Sequence, residues 1–121
     1  MAKLAEEAAK GKAIVVEGKN DTFALEELGV CGAFVTVKTG GKSFLEATSE
    51  IERLGAGTVI LLLDFDRRGK EGTARLKLNL ERAKVKADMR FWWELQALVG
   101  REIQCIESLP TYLRSLREKT T

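Results

Sequence analysis

The sequence predicts an α/β fold: a parallel four-stranded sheet covered by helices on both faces, followed by a C-terminal helical extension. Three observations carry this expectation. Ala13-Ile14-Val15-Val16 and Val59-Ile60-Leu61-Leu62-Leu63 are short, unbroken apolar runs. That is the pattern of strands buried on both faces of a sheet. Stretches of helical period separate these runs and two weaker ones. A β-α-β-α-β-α-β order then brings the strands side by side through right-handed crossovers.

The elements follow in order. Met1 to Lys10 places Leu4, Ala5, Ala8 and Ala9 among charges and reads as a short amphipathic helix or arm. The first strand is expected over 13–17. The first crossover helix has Asn20 or Asp21 at its N-cap, Phe23, Ala24 and Leu28 inward, and Gly29 as its stop. A second strand spans 33–37. Ser43 and Glu46 have capping-box spacing and open the next helix, whose apolar stripe is Phe44, Ala47, Ile51 and Leu54 before Gly55. The third strand covers 58–64. A helix over 70–84 turns Leu76, Leu80 and Ala83 inward, and a fourth strand covers 85–87.

The extension begins at Asp88, which opens a helix running to Val99 before Gly100. Residues 103–106 read as a short extended segment. Ser108 caps a last helix to about Lys119, with Pro110 in its first turn, where proline is tolerated. Trp92 and Trp93 are adjacent, so on a helix they point about 100° apart. One is expected in the core and the other at an edge, where aromatics favour a partner or a homodimer interface.

The bulk numbers set bounds. The chain has 121 residues, 45% hydrophobic and 31% charged, enough for one domain and one core. That domain is expected to span 1–121, with the sheet core at about 12–87 and the extension at about 88–121. Net charge is only +2, so any polyanion contact depends on local clusters. No apolar run reaches membrane-spanning length. A cytoplasmic location is expected from the lack of a signal peptide, with Cys31 and Cys105 as two free, buried thiols.

Two acidic signatures end the strongest strands: Glu17-Gly18, and Asp64-Phe65-Asp66-Arg67-Arg68-Gly69. Ligands of open parallel sheets bind beyond the carboxyl ends of the strands. Glu17, Asp64 and Asp66 are therefore expected to converge. Two unit charges about 5 Å apart at an effective dielectric near 20 repel by roughly 3 kcal/mol. Such a cluster holds a cation or shifts a pKa. Oxygen ligands in a chain without His point to Mg²⁺ or Mn²⁺. Asp64 is the expected direct ligand, with Asp66 acting through water or on a second metal. Lys19, Lys38, Lys42, Arg67, Arg68 and Lys70 flank the acids, which suits phosphate. Gly18, Gly40, Gly41 and Gly69 let backbone N–H groups approach it. Asp21 reads more readily as a helix cap than as a ligand.

These motifs resemble the Toprim (Rossmann-like) domain shared by topoisomerases, bacterial-type primases, overcoming-lysogenization-defect nucleases and recombination mediators. The pattern is Glu17 at one strand end and Asp64-x-Asp66-x-x-Gly69 at a later one, with Thr39-Gly40-Gly41-Lys42-Ser43 between. It covers residues 12–87. The chain is most similar to small primase-like members, including the catalytic half of the ribonuclease that matures 5S ribosomal RNA. The resemblance implies that Glu17 either helps bind metal or acts as a general acid–base. It also implies phosphodiester or nucleotidyl chemistry on nucleic acid or nucleotides, by a nuclease or a nucleotidyl transferase. A non-catalytic nucleic-acid-binding module is the alternative. Topoisomerase activity is not expected, because the chain is short and its single tyrosine, Tyr112, sits in the tail.

Overall fold

The computed structural model describes residues 2–37 and 43–120. In chain order these form α1 (Ala2–Ala9), β1 (Ala13–Val16), α2 (Lys19–Glu27), β2 (Phe34–Thr36), α3 (Ser43–Arg53), β3 (Thr58–Leu61), α4 (Arg67–Arg82), β4 (Lys86–Asp88), α5 (Arg90–Val99), a 3₁₀ turn (Ile106–Ser108) and α6 (Leu109–Thr120). Lys38, Thr39, Gly40, Gly41 and Lys42 lie outside the described residues. The side chain of Ser43, and the capping box expected of it, lie outside them too.

The four strands form one parallel sheet in the order β2-β1-β3-β4. Ile14 of β1 is level with Phe34 on one side and Ile60 on the other. The two central strands are sealed on both faces: Ile14, Val15, Val16, Val59, Ile60 and Leu61 have no exposed surface. That burial is why their sequences are continuous rather than alternating. From β1 the chain moves one way to β2, then returns past β1 to β3. Right-handed crossovers therefore put α2 on one face and α3 and α4 on the other. α3 packs on α4, and α2 packs on α6 and the 3₁₀ turn. The direction of winding reverses between β1 and β3, which opens a crevice at their carboxyl ends.

Several boundaries differ from the sequence expectation. α4 starts at Arg67 rather than Lys70, because Asp66 caps it. α2 is capped by Gly18 rather than Asn20 or Asp21, its backbone extended at φ −152°. The inward stripe of α2 is Asp21, Ala24, Leu25 and Leu28, a full helical repeat. Phe23 falls outside that stripe and is 62% exposed, not inward as expected. Leu54, just past the end of α3, is exposed as well. No strand forms at 103–106, where a turn leads into the 3₁₀ turn instead. The cysteines are free, but Cys31 is exposed and Cys105 half-buried, because both sit in connecting segments rather than in the core.

The extension is pinned to the sheet by its buried tryptophan. Trp92 is 6% exposed, and its indole N–H donates to the Leu63 carbonyl at 2.8 Å. Its ring meets Phe65, centroids 5.7 Å apart and tilted by 50°. Such a pair adds about 1 kcal/mol beyond the area it buries. Trp93, one residue on, is 57% exposed. At the start of α5, Asp88 accepts from the Arg90 backbone N–H (3.1 Å) and from its guanidinium (3.0 and 2.8 Å). This guanidinium holds the Asp88 carboxyl below its usual range.

Candidate active site

An open cleft of about 550 Å³ lies at the carboxyl ends of β1 and β3. Glu17 and Gly18 enter it from the end of β1, and Lys19, Asn20 and Asp21 from the first turn of α2. Asp64 enters from beyond β3, while Cys105 and Glu107 close it from the extension. Two of the three carboxylates expected to converge, Glu17 and Asp64, therefore share one cavity.

Hydrogen bonds set their positions. The Asp64 backbone N–H donates to Glu17 Oε2 at 2.8 Å, tying the ends of β1 and β3 together. Asp64 Oδ1 accepts from the Ile106 N–H at 3.0 Å. The residues on either side of Asp64 are fixed as well: the Leu63 carbonyl accepts from Trp92, and the Phe65 N–H donates to the Gln104 carbonyl at 2.7 Å. Asp64 is thus clamped at three consecutive residues by the extension.

The charges of the cleft are unbalanced. Burial pushes the Asp64 carboxyl up to about 7, and the Glu17 and Asp21 carboxylates push the same way. The Ile106 N–H opposes this by favouring the charged form. Burial also raises Asp21, aided by Glu107 and Glu17, against the Gly18 N–H that it accepts at 2.9 Å. Among the described residues that line the cleft, Lys19 is the cation. Asp21 also does the capping work expected of it, by reaching back from the third position of α2 to the N-cap N–H.

Asp66 is placed elsewhere. Its Oδ1 accepts from the Gly69 N–H at 2.7 Å, and it is not among the residues lining the cleft. Past Leu61 the chain leaves regular strand geometry, so the alternation that would have put Asp64 and Asp66 on one face no longer applies. Gly69 has a geometric duty: a Cβ there would stand 2.0 Å from the Asp64 carbonyl oxygen, so only glycine lets the first turn of α4 approach this closely. The N–H groups of Gly18 and Gly69 are both engaged by aspartates. Arg67 pairs with Glu71 at 3.2 Å, and Arg68 and Lys70 are exposed. Lys38, Lys42, Gly40 and Gly41 lie outside the described residues.

Most of the candidate ligand groups lining the cleft are carboxylates, those of Glu17, Asp21, Asp64 and Glu107, the ligand chemistry of Mg²⁺ and Mn²⁺, beside the Asn20 amide and the Cys105 thiol. Among the described residues, no group of three His, Cys, Asp or Glu side chains lies close enough to enclose a metal ion. Mg²⁺ commonly takes one or two carboxylates and keeps several waters, so a Glu17–Asp64 pair still fits it. Sequence reasoning missed the far wall. Glu107, Cys105 and the Ile106 N–H sit in a stretch without periodicity, and no local signal marks them. Among the described residues, no helix is long and apolar enough to cross a membrane.

Residues 11–89 match the family model described as Toprim domain. A UPF0292 protein of Methanosarcina acetivorans is 34% identical over 97% of this chain and 79% of the relative. A UPF0292 protein of Methanocaldococcus jannaschii is 37% identical over 87% of this chain and 80% of the relative. A solved protein from Aquifex aeolicus shares the fold with a TM-score of 0.70 and 26% identity, over 88% of this chain and 95% of that one.

Proposed function

The chain belongs to the Toprim domain family, and on that footing we propose that it binds Mg²⁺ or Mn²⁺ at the Glu17–Asp64 cleft and catalyses phosphodiester or nucleotidyl chemistry on nucleic acid or nucleotides. Family membership supports a nucleic-acid-related role. The observation that carries the finer reading is the pairing of Glu17 with Asp64 across the crevice between β1 and β3. Two carboxylates held that close, with Asp64 raised to about 7, make a site that gains from a cation.

The bound metal would offset charge on the phosphate oxygens and orient the attacking group. The residues divide the remaining work. Asp64 is the direct ligand, oriented by its clamped backbone. Glu17 shares the metal or moves a proton at the attacking or leaving oxygen. Asp66, with Oδ1 engaged by Gly69, acts through water. Lys19 meets the phosphate inside the cleft, and Arg67, Arg68 and Lys70 extend the cationic rim along the start of α4. The chain works in the cytoplasm, as a homodimer through the side of α5 that exposes Trp93.

A second reading, a non-catalytic nucleic-acid-binding module of a larger complex, is favoured by one observation. Asp66 turns to α4, so only two of the three motif carboxylates share the cleft. Incubation with labelled RNA, DNA and nucleoside triphosphates, each with Mg²⁺ or Mn²⁺, separates the two. Cleavage or nucleotidyl transfer that stops on addition of chelator is the expected result. No turnover of any of the three would leave the binding module.

A further inference from the structure

We propose that the groove between α2 and α6 is a nucleobase subsite, which takes an unpaired base of a single-stranded nucleic acid whose phosphate lies in the adjoining cleft. This rests on the reading of the cleft given above and names the form of its substrate. The groove is open to solvent, with a volume of about 770 Å³. It adjoins the cleft: Asn20 and Glu107 line both. Phe23 from α2 and Tyr112 from α6 supply aromatic surface, and Pro110 and Ile103 add apolar wall.

Phe23 is the informative residue. The buried stripe of α2 is complete without it, and it stands 62% exposed at the rim of this groove. An aromatic face so placed offers a stacking platform to any base, since every base has a π-face. The groove's polar groups suit the base of a nucleotide. Glu27 and Glu107 line it, with Glu27 paired to Arg114 of α6 at 3.6 Å. Their oxygens accept from amino groups on base edges. The base enters the groove on these acceptors and on Phe23, while its phosphate meets Lys19 and the cation that would offset the carboxylates of the cleft. A base in a duplex is stacked and paired and cannot enter without being extruded, so the occupant is single-stranded.

The test is fluorescence anisotropy with a short fluorescein-labelled single strand of mixed sequence and the blunt duplex of the same sequence, in Ca²⁺ in place of Mg²⁺ or Mn²⁺, with the probe shown intact on a gel after each measurement. Wild-type protein should bind the single strand at least about tenfold more tightly than the duplex. Phe23→Ala should weaken single-strand binding about tenfold, the order of one lost base–aromatic stack, and Phe23→Tyr should restore it. Phe23 is exposed, so Phe23→Ala should melt like the wild type. Equal binding of both probes, or unchanged single-strand binding in Phe23→Ala, would overturn the subsite. Mn²⁺ calorimetry on Asp64→Ala separates this result from the reading of the cleft. Intact single-strand binding in Phe23→Ala with lost Mn²⁺ binding in Asp64→Ala removes the subsite and leaves the cleft. The reverse pair of results keeps the subsite and removes the cleft.

Discussion

The sheet core contributes the paired acids of the cleft, Glu17 and Asp64, whereas the extension contributes the groups that hold Asp64 still. Glu17 and Asp64 follow β1 and β3, where the ends of buried strands aim whatever comes next at the crevice. The Ile106 N–H, the Gln104 carbonyl and the Trp92 indole come from the last third of the chain and fix Asp64 and its two neighbours. The motif of the core is therefore not self-sufficient. Within it, Asp66 and Gly69 serve the entry to α4, while Asp64 depends on residues far along the chain. A strand end gives direction, and a second layer of hydrogen bonds gives precision.

The strongest way to break this comparison is to remove the core's acid. Asp64→Ala should weaken Mn²⁺ binding by more than about 100-fold, since losing a supporting partner alone costs 10- to 100-fold. Calorimetry on both proteins measures it, and equal affinities would show that the cleft holds no metal through Asp64. Glu17→Gln keeps the shape and removes the charge. Turnover should fall at least about tenfold with the fold retained. Unfolding of the metal-free variant should come at slightly higher denaturant, because a repulsion is relieved. A loss of stability with turnover intact would make Glu17 a structural residue.

The extension is tested through its anchor. Trp92→Phe leaves the Leu63 carbonyl without its donor, which should cost about 2 kcal/mol in denaturant unfolding. If the extension positions Asp64, Mn²⁺ affinity should drop several-fold as well. A stability loss with unchanged Mn²⁺ affinity would reduce the extension to packing.

Titration sharpens the contrast between two aspartates. The Asp64 carboxyl is raised from 3.8 to about 7 in the folded chain. Its protonated form therefore favours folding below about pH 4, and that contribution is lost as pH rises to about 7. Burial is the main cause of the shift, Glu17 and Asp21 add their negative charge, and the Ile106 N–H opposes it. Asp88 is shifted the other way by Arg90, so its contribution is present above its unfolded value and is lost as pH falls. In chelator, urea midpoints should fall across the first window in wild type and stay flatter in Asp64→Asn. Mn²⁺ affinity should rise over the same window, because protons compete for the ligand. A variant with the wild-type slope would place the titration elsewhere.

The smallest effect on stability is expected on the outer face of the extension. Trp93→Glu should leave stability within about 0.5 kcal/mol. Sedimentation should show a wild-type dimer and a monomeric variant. A wild-type monomer at high concentration would end the homodimer reading.

The sheet and the aim of its acids were legible in local pattern. Continuous apolar runs at β1 and β3, too short for helices and bounded by glycine-bearing turns, read as strands buried on both faces, and Glu17 and Asp64 follow directly from where those runs stop. Local pattern also separated the two tryptophans, because helical geometry forbids neighbours from sharing a face. These readings succeed because periodicity, capping and strand order act over a few residues. Tertiary structure alone decided which acids meet. The bond from Asp64 to Glu17 spans 47 residues and that from Ile106 to Asp64 spans 42, and no local pattern encodes either. Asp66 went to the helix because Gly69 brings the first turn of α4 against the Asp64 carbonyl, where the Asp66 carboxylate meets an N–H that needs an acceptor. Glu107 and Cys105 reached the cleft because the extension folds back over the crevice, and that path is set by the burial of Trp92 and Ile106 rather than by any motif near the acids.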